Sequence, residues 1–229
     1  MAGRIGGRPR QIERTDIVRA GRAVGMRELS MNAVASALGV TPAALYRHVE
    51  GKWELERLVG ESLLDDLQLR DDPDQGVVAH LRDFGLQLRE HALARPGLAS
   101  YLQVLFPRGT AGRRLLSDEV RALARRGYGA DAAIMVSGAV ASIAIGYAAA
   151  EDAQRDRNDE IGGQRERVAG DLAADAELGS AYRSLPEVDS TQYVRLVLTA
   201  AVRGLVGAAP PGRSVAAVIG DLASEGEDH

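Results

Sequence analysis

The chain of 229 residues carries 28 Lys+Arg against 32 Asp+Glu, 45% hydrophobic residues and no cysteine. That apolar content can fill a core, which excludes wholesale disorder, and the lack of thiol sulfur excludes disulfide scaffolds, zinc–thiolate sites and cysteine nucleophiles. The net charge of −4 hides an asymmetry: residues 1–52 hold nine basic and four acidic side chains, a balance of +5, and the rest hold 19 and 28, a balance of −9. A basic head on an acidic body fits a polyanion-binding module, and equally a solvated surface with chance clustering. The N-terminus carries Arg4, Arg8 and Arg10 with no apolar h-region behind them, so a cytoplasmic rather than secreted protein is expected. The segment GRIGGRPR, Gly3 to Arg10, interleaves these arginines with glycine; it can enter a narrow minor groove or hang as a disordered leader.

Apolar side chains recur at i, i+3, i+4 and i+7 and seldom alternate, so the chain reads as all-α. Four helices come first. The first runs from Arg14 to Val24 with Gly25 as its stop, and the second from Met31 to Leu38 behind the N-cap Ser30. The third opens on Thr41 with Pro42 in its first position, turns Leu45 and Val49 inward and ends at Gly51. A fourth is predicted from Lys52 to about Leu69. Residues 70–76 (RDDPDQG) form a loop, and helices follow near 77–94, 98–105, 111–126, 130–154 and 190–207. Residues 155–164 (RDRNDEIGGQ) read as an exposed loop followed by two short helices, and a last helix runs from Ser214 to about Ser224 before a frayed tail. The domains expected are a head, 1–52, and a helical body, 53–229.

The run from Ser30 to Val49, SMNAVASALGVTPAALYRHV, carries the most information. A helix-turn-helix needs a small side chain where its helices cross, a residue tolerant of positive φ in the turn, and apolar anchors in the second helix. Ala35, Gly39, and Leu45 with Val49 meet these needs. Thr41, Pro42, Ala43, Tyr46, Arg47 and His48 then lie wholly or partly on the exposed side of the third helix, which can enter a major groove. An ordinary helical bundle can contain the same two-helix pattern.

From Gln11 to Val59 the wording resembles the DNA-binding domain of the tetracycline-repressor (TetR) family. The matching residues are Ala20 and Gly25, Ser30-Met31, Val34-Ala35, Leu38-Gly39-Val40, Leu45-Tyr46-Arg47-His48-Val49, and Lys52 with Leu55. The resemblance implies a homodimer whose third helices read two half-sites of an operator in double-stranded DNA. It places Thr41, Pro42, Ala43 and Tyr46 near bases or adjacent phosphates. Tyr46, His48 and Lys52 fall on the backbone, and Asn32 at a base-reading or phosphate-binding position. Hydroxyl, imidazole and ammonium donors, with a helix N-terminus near Lys52, suit phosphate oxygens.

Ala132 to Ala150 is free of charge for 19 residues, but its Ala, Gly and Ser content argues for a core helix rather than a membrane span. Gly138, Ser142, Gly146 and Ala150 form a ridge of small side chains that another helix can approach. Val194, Val197, Leu198, Ala201, Val202 and Leu205 give a matching stripe. The resemblance implies that these two helices build a four-helix dimer interface; the alternative is burial within one subunit. Val77 to Asp152 is similar to the effector-binding body of the tetracycline-repressor subgroup, including RRGYGADAA and EDAQ. That subgroup implies histidine coordination of a metal–drug complex, yet no histidine lies between Pro96 and Glu151, and His80 and His91 are ~16 Å apart on a helix. No metal is therefore expected. A metal-free effector pocket would draw on Gln68, Phe84, Leu88, Tyr101, Gln103, Phe106, Met135 and Tyr147, each of which reads first as simple core.

Gly51-Lys52 ends like a P-loop, but Tyr46 stands at its first glycine and Trp53 at its Ser/Thr. No G-x-G-x-x-G, H-E-x-x-H or G-x-S-x-G occurs, so no catalytic residues and no cofactor are expected. The sequence thus predicts a ligand-released repressor with a small-molecule effector. Its rivals are a constitutive DNA-binding dimer and, further off, an all-helical enzyme or carrier.

Overall fold

The computed structural model describes residues 12–104 and 109–227. The expected arm residues Arg4, Arg8 and Arg10, and Phe106, lie outside them. The described residues fold into helices without a strand, the all-α class expected.

Local chemistry sets the head. Helix α1 (Arg14–Val24) opens with the Asp16 carboxylate accepting the Glu13 N–H at 3.2 Å and stops at Gly25. Helix α2 (Met31–Leu38) is capped by Ser30 Oγ, which accepts from the Ala33 N–H at 3.1 Å. Gly39 then adopts φ 68°, a left-handed conformation that a Cβ would strain, and the N–H groups of Gly39 and Val40 close on the carbonyls of Ser36 and Ala35. That tight turn launches α3 (Pro42–Leu45), whose cap Thr41 accepts the Ala44 N–H at 3.3 Å.

Helix α3 is shorter than the spacing predicts. After Leu45 the ladder tightens to three-residue bonds, Arg47 N–H to Ala44 O and His48 N–H to Leu45 O, as helix ends often do. The chain still coils enough to bury both Leu45 and Val49. Helix α4 (Lys52–Asp65) also ends early, at Asp65 with Asp66 as its cap rather than at Leu69. The physical reason is tertiary: the Arg114 guanidinium donates to the carbonyls of Asp65 and Leu67, closing a helix end that would otherwise need another turn.

The body stacks α5 (Val77–Leu93), α6 (Leu98–Val104), α7 (Thr110–Ala124) and α11 (Ser190–Ala208) around α8 (Ala130–Asp156). The small side chains of α8 permit this crowding. By length and composition α8 could cross a membrane, but 56% of its most apolar window is buried among its neighbours. Helix α12 (Val215–Glu227) leans on α8, and α9 (Asn158–Ala174) pairs chiefly with α10 (Gly179–Ser184). Residues 155–164 are thus a correction: α8 runs to Asp156 and α9 begins at Asn158, with helix through Gly162 and Gly163. An exposed helix carries the same polar composition as a loop, so composition alone misassigns it. One apolar cluster runs from Ile17, Val34 and Leu45 through Val59 of α4 to Phe84, Val140 and Leu198.

Candidate functional site

Two places carry the candidate chemistry: the outward side of α2 and α3, and a cavity within the body. In the head, Leu45 and Val49 take the inward positions while Thr41, Pro42, Ala43, Tyr46 and Arg47 stay exposed, Tyr46 at 57%. His48 is half-buried, and Asn32 is exposed at the start of α2. Among the described residues Arg47 has no ion-pair partner, so its charge is available to an incoming phosphate. Lys52 extends from the first position of α4, its side chain 65% exposed and its Nζ 3.5 Å from Glu56. The Glu54 carboxylate already occupies this helix end, accepting the Glu50 N–H at 2.6 Å and pairing with Arg14. Attraction for an anion there rests on Lys52 and Arg47 rather than on the helix dipole. Trp53, noted in the sequence only as a departure from a P-loop, stands 62% exposed beside Lys52.

Besides the Arg14–Glu54 pair, polar contacts fasten the head to the body in two further places. Arg22 of α1 donates to Ser62 O and Oγ, at 2.6 and 3.0 Å, and to Asp66 at 2.6 Å. The Arg22 bond and charge, with help from Arg95, hold the Asp66 carboxyl below its usual range against the opposing effect of burial. The second point is the loop after α1, where Arg27 donates to Asp152 at 2.7 Å and the Gly97 N–H reaches the other oxygen of the same buried carboxylate at 2.7 Å. Gly97 has φ +84°, and a Cβ placed on it would stand 2.5 Å from the Arg27 backbone nitrogen. The head loop therefore lies directly on the turn between α5 and α6.

The cavity lies between α4, α5, α6, α7 and α8, with a volume of about 70 Å³. Its walls include Leu64, Phe84, Leu88, Leu102, Leu115, Leu116, Ala141 and Ile145, with Glu119 and Ser137 as the polar side chains. Of the expected pocket residues, Phe84 and Leu88 are here. Gln68 is exposed on the segment after α4, and Gln103 is exposed on α6. Tyr101 is buried against Gly60 and borders a separate groove with Trp53 and Asp152; burial, with Glu61 nearby, pushes its phenol up to about 12. Met135 and Tyr147 are half-buried elsewhere on α8, Tyr147 standing edge-on to Tyr193 at 6.2 Å. Sequence spacing gave no signal for Leu115, Leu116, Glu119 or Ile145, because each fits an ordinary core position.

Glu119 is 2% exposed and its Oε1 lies 2.9 Å from His80 Nε2; the other ring nitrogen lies 3.1 Å from Asp71. Arg125 and Arg126 pair with Asp71 in turn. His91 spends its Nε2 on the Leu63 carbonyl at 3.0 Å. Among the described residues no cluster of histidine and carboxylates is disposed to hold a metal ion.

The expected interface residues divide. Val194, Leu198 and Val202 are buried inside the subunit, Leu198 and Val202 completely, and α11 packs on α5 and α8. This is a correction: the apolar stripe faces the subunit's own core, and Ala201 and Leu205 at its edge are half-buried. The opposite side of α11 exposes Tyr193, Leu196, Ala200 and Gly204. On α8, Ser142 and Ala150 are exposed and Gly146 is half-buried, while Gly138, also half-buried, borders the cavity.

Residues 21–55 match the family model described as "Bacterial regulatory proteins, tetR family". No curated protein matches the chain. Among solved structures, the fold is similar to apo ActR from Streptomyces coelicolor, with a TM-score of 0.73 and 20% identity over 86% of this chain and 96% of that one. ActR in complex with actinorhodin gives 0.75 and 21% over 89% and 100%. Mycobacterium smegmatis BioQ gives 0.62 and 19% over 86% and 99%.

Proposed function

We propose that this chain, a member of the tetR family of bacterial regulatory proteins by its N-terminal helix-turn-helix, is a cytoplasmic repressor that binds a two-half-site operator as a homodimer and is released by a small-molecule effector. Residues 1–52 would form the DNA-binding head and 53–229 the effector and dimer body. The observation that carries the reading is the capped α3, anchored by Leu45 and Val49 with Thr41 to Arg47 left open. The complex of ActR with actinorhodin, a protein of similar fold, supports a small molecule in the body. For the dimer, the exposed side of α11 with the adjoining side of α8 supplies Ile143, Tyr147, Tyr193 and Leu196, in place of the buried stripe.

Two recognition helices about one DNA turn apart, ~34 to 36 Å, would engage both half-sites. An effector that binds better when this spacing is lost releases DNA, and moving the population from 1:99 to 99:1 takes a ~10⁴-fold preference. The test is selection of bound DNA from a random pool, followed by gel-shift and sedimentation of the complex. A monomer that ignores every duplex at low salt sinks the proposal.

Substitutions at Lys52 and at Ala43 or Thr41 then separate the roles of the head residues. Lys52→Ala is expected to weaken binding to all duplexes alike and to lower the slope of log K against log salt by about one. Replacing Ala43 or Thr41 is expected to change which operator is preferred, by ~1 to 3 kcal/mol per base pair affected. An unaltered slope in the first case, or uniform loss in the second, removes the assigned role.

The small size of the cavity favours a second reading, a constitutive DNA-binding dimer, since pockets for drug-sized ligands have volumes of roughly 300–1,000 Å³. Operator release during a screen of small molecules distinguishes the two.

A further inference from the structure

The cavity between α4 and α8 is apolar except at one corner. Ser137 is already committed, its hydroxyl donating to Ala133 O at 2.7 Å within its own helix. Glu119 is not. Its Oε1 meets His80, whereas Oε2 has no hydrogen-bond partner among the described residues. No sealed side-chain polar atom lacks a partner either, so Oε2 must be reachable, and the cavity is the space that Glu119 borders. A neutral imidazole has one N–H, yet His80 faces carboxylates through both nitrogens, at 2.9 and 3.1 Å. Asp71 is in turn held by Arg126, which also donates to Asp72 O at 2.7 Å and Gln75 O at 3.1 Å in the segment after α4. The carboxylate is thus fixed from behind and open in front.

We propose that Glu119 is the ligand-reading group of this cavity, and that it selects apolar molecules carrying one hydrogen-bond donor, a hydroxyl or protonated amine, against hydrocarbons and carboxylates. The inference rests on the cavity being the effector site. An acceptor-only group rewards a donor, leaves a hydrocarbon with an unmet carboxylate oxygen and repels an anion, so selectivity follows from a single side chain. His80 is a positioning residue, holding Oε1 so that Oε2 stays turned to the cavity.

The test uses probes on one carbon skeleton: toluene, benzyl alcohol, benzylamine and benzoate. Binding to the full chain is followed by calorimetry and by NMR shifts of the cavity methyl groups. Benzylamine and benzyl alcohol are expected to bind at least tenfold more tightly than toluene, and benzoate not at all. Glu119→Leu should erase that ratio and leave toluene bound. The His80→Leu/Glu119→Leu double variant, which leaves no buried partner unmatched, should do the same if the single variant fails to fold. His80→Leu alone should lower the ratio without loss of toluene binding, which a merely structural role would not produce. If toluene binds as well as the donors in the unaltered protein, the ligand-reading role of Glu119 is overturned and the cavity survives as a site. If no probe shifts a cavity methyl group, the effector site itself is overturned.

Discussion

Gly97→Ala is expected to lower stability by about 3 kcal/mol and to weaken DNA binding in parallel, read as a lower Tm and a weaker gel shift. Two effects combine at this residue. Its φ of +84° costs an L side chain ~1 kcal/mol, and its Cβ would meet the Arg27 backbone at 2.5 Å and 2.8 Å, where no rotamer can move aside. Relief requires the head loop to lift from the turn between α5 and α6, which also strips the Gly97 N–H and Arg27 from Asp152. Gly25 supplies the control. It has the same φ of +84° but open space around its Cβ site, so Gly25→Ala should cost only ~1 kcal/mol. Equal losses in the two variants would remove the close approach as the cause.

The second large effect is expected from Glu151→Ala. Arg89, its side chain only 8% exposed, grips Glu151 through two bonds of 2.7 and 2.5 Å, and the Ser190 hydroxyl donates to the same carboxylate at 2.6 Å. One carboxylate thus joins α5, α8 and α11. Removing it strands a buried guanidinium, a loss of about 3 kcal/mol, whereas the Arg89→Leu/Glu151→Leu double variant should lie much closer to the unaltered protein. Urea unfolding of the set checks the order; a double variant as unstable as Glu151→Ala would contradict it.

The same site sets a pH dependence. Burial pushes the Glu151 carboxyl up, but the bonds from Arg89 and Ser190, with the Arg89 and Arg155 charges, outweigh it and hold the group below the usual glutamate range. A carboxyl with a lower pKa in the folded state stabilises fully above its unfolded pKa and loses that contribution as pH falls through the folded one. Asp66, Asp71 and Asp83 are shifted in the same direction. The melting temperature should therefore fall on acidification below the ordinary carboxylate range. Glu151→Gln should show a smaller fall than the unaltered protein; an equal fall would place the acid sensitivity elsewhere.

Where local chemistry decides, the sequence is readable. Ser30, Gly39, Thr41 with Pro42, and Gly25 are caps and turns whose residue types imply their backbone, and α1 and α2 stand at the predicted residues. Where tertiary contacts decide, it is less so. The end of α4 depends on Arg114, 49 residues beyond Asp65. The stripe Val194, Leu198, Val202 was visible as a period, but a period identifies a face and not what covers it; α5 and α8 cover it here. The cavity was half visible for the same reason. Phe84 and Leu88 line it, but Tyr147 and Gln103, chosen on residue type, do not, and the Glu119–His80 contact spans 39 residues that no spacing rule connects.

The tightness of that interior has a kinetic consequence. With only about 70 Å³ free among closely packed helices, a guest larger than this volume is accommodated only after a fluctuation parts the surrounding helices. Entry then has a ceiling: as guest concentration rises, the observed binding rate levels off at the breathing rate of the bundle.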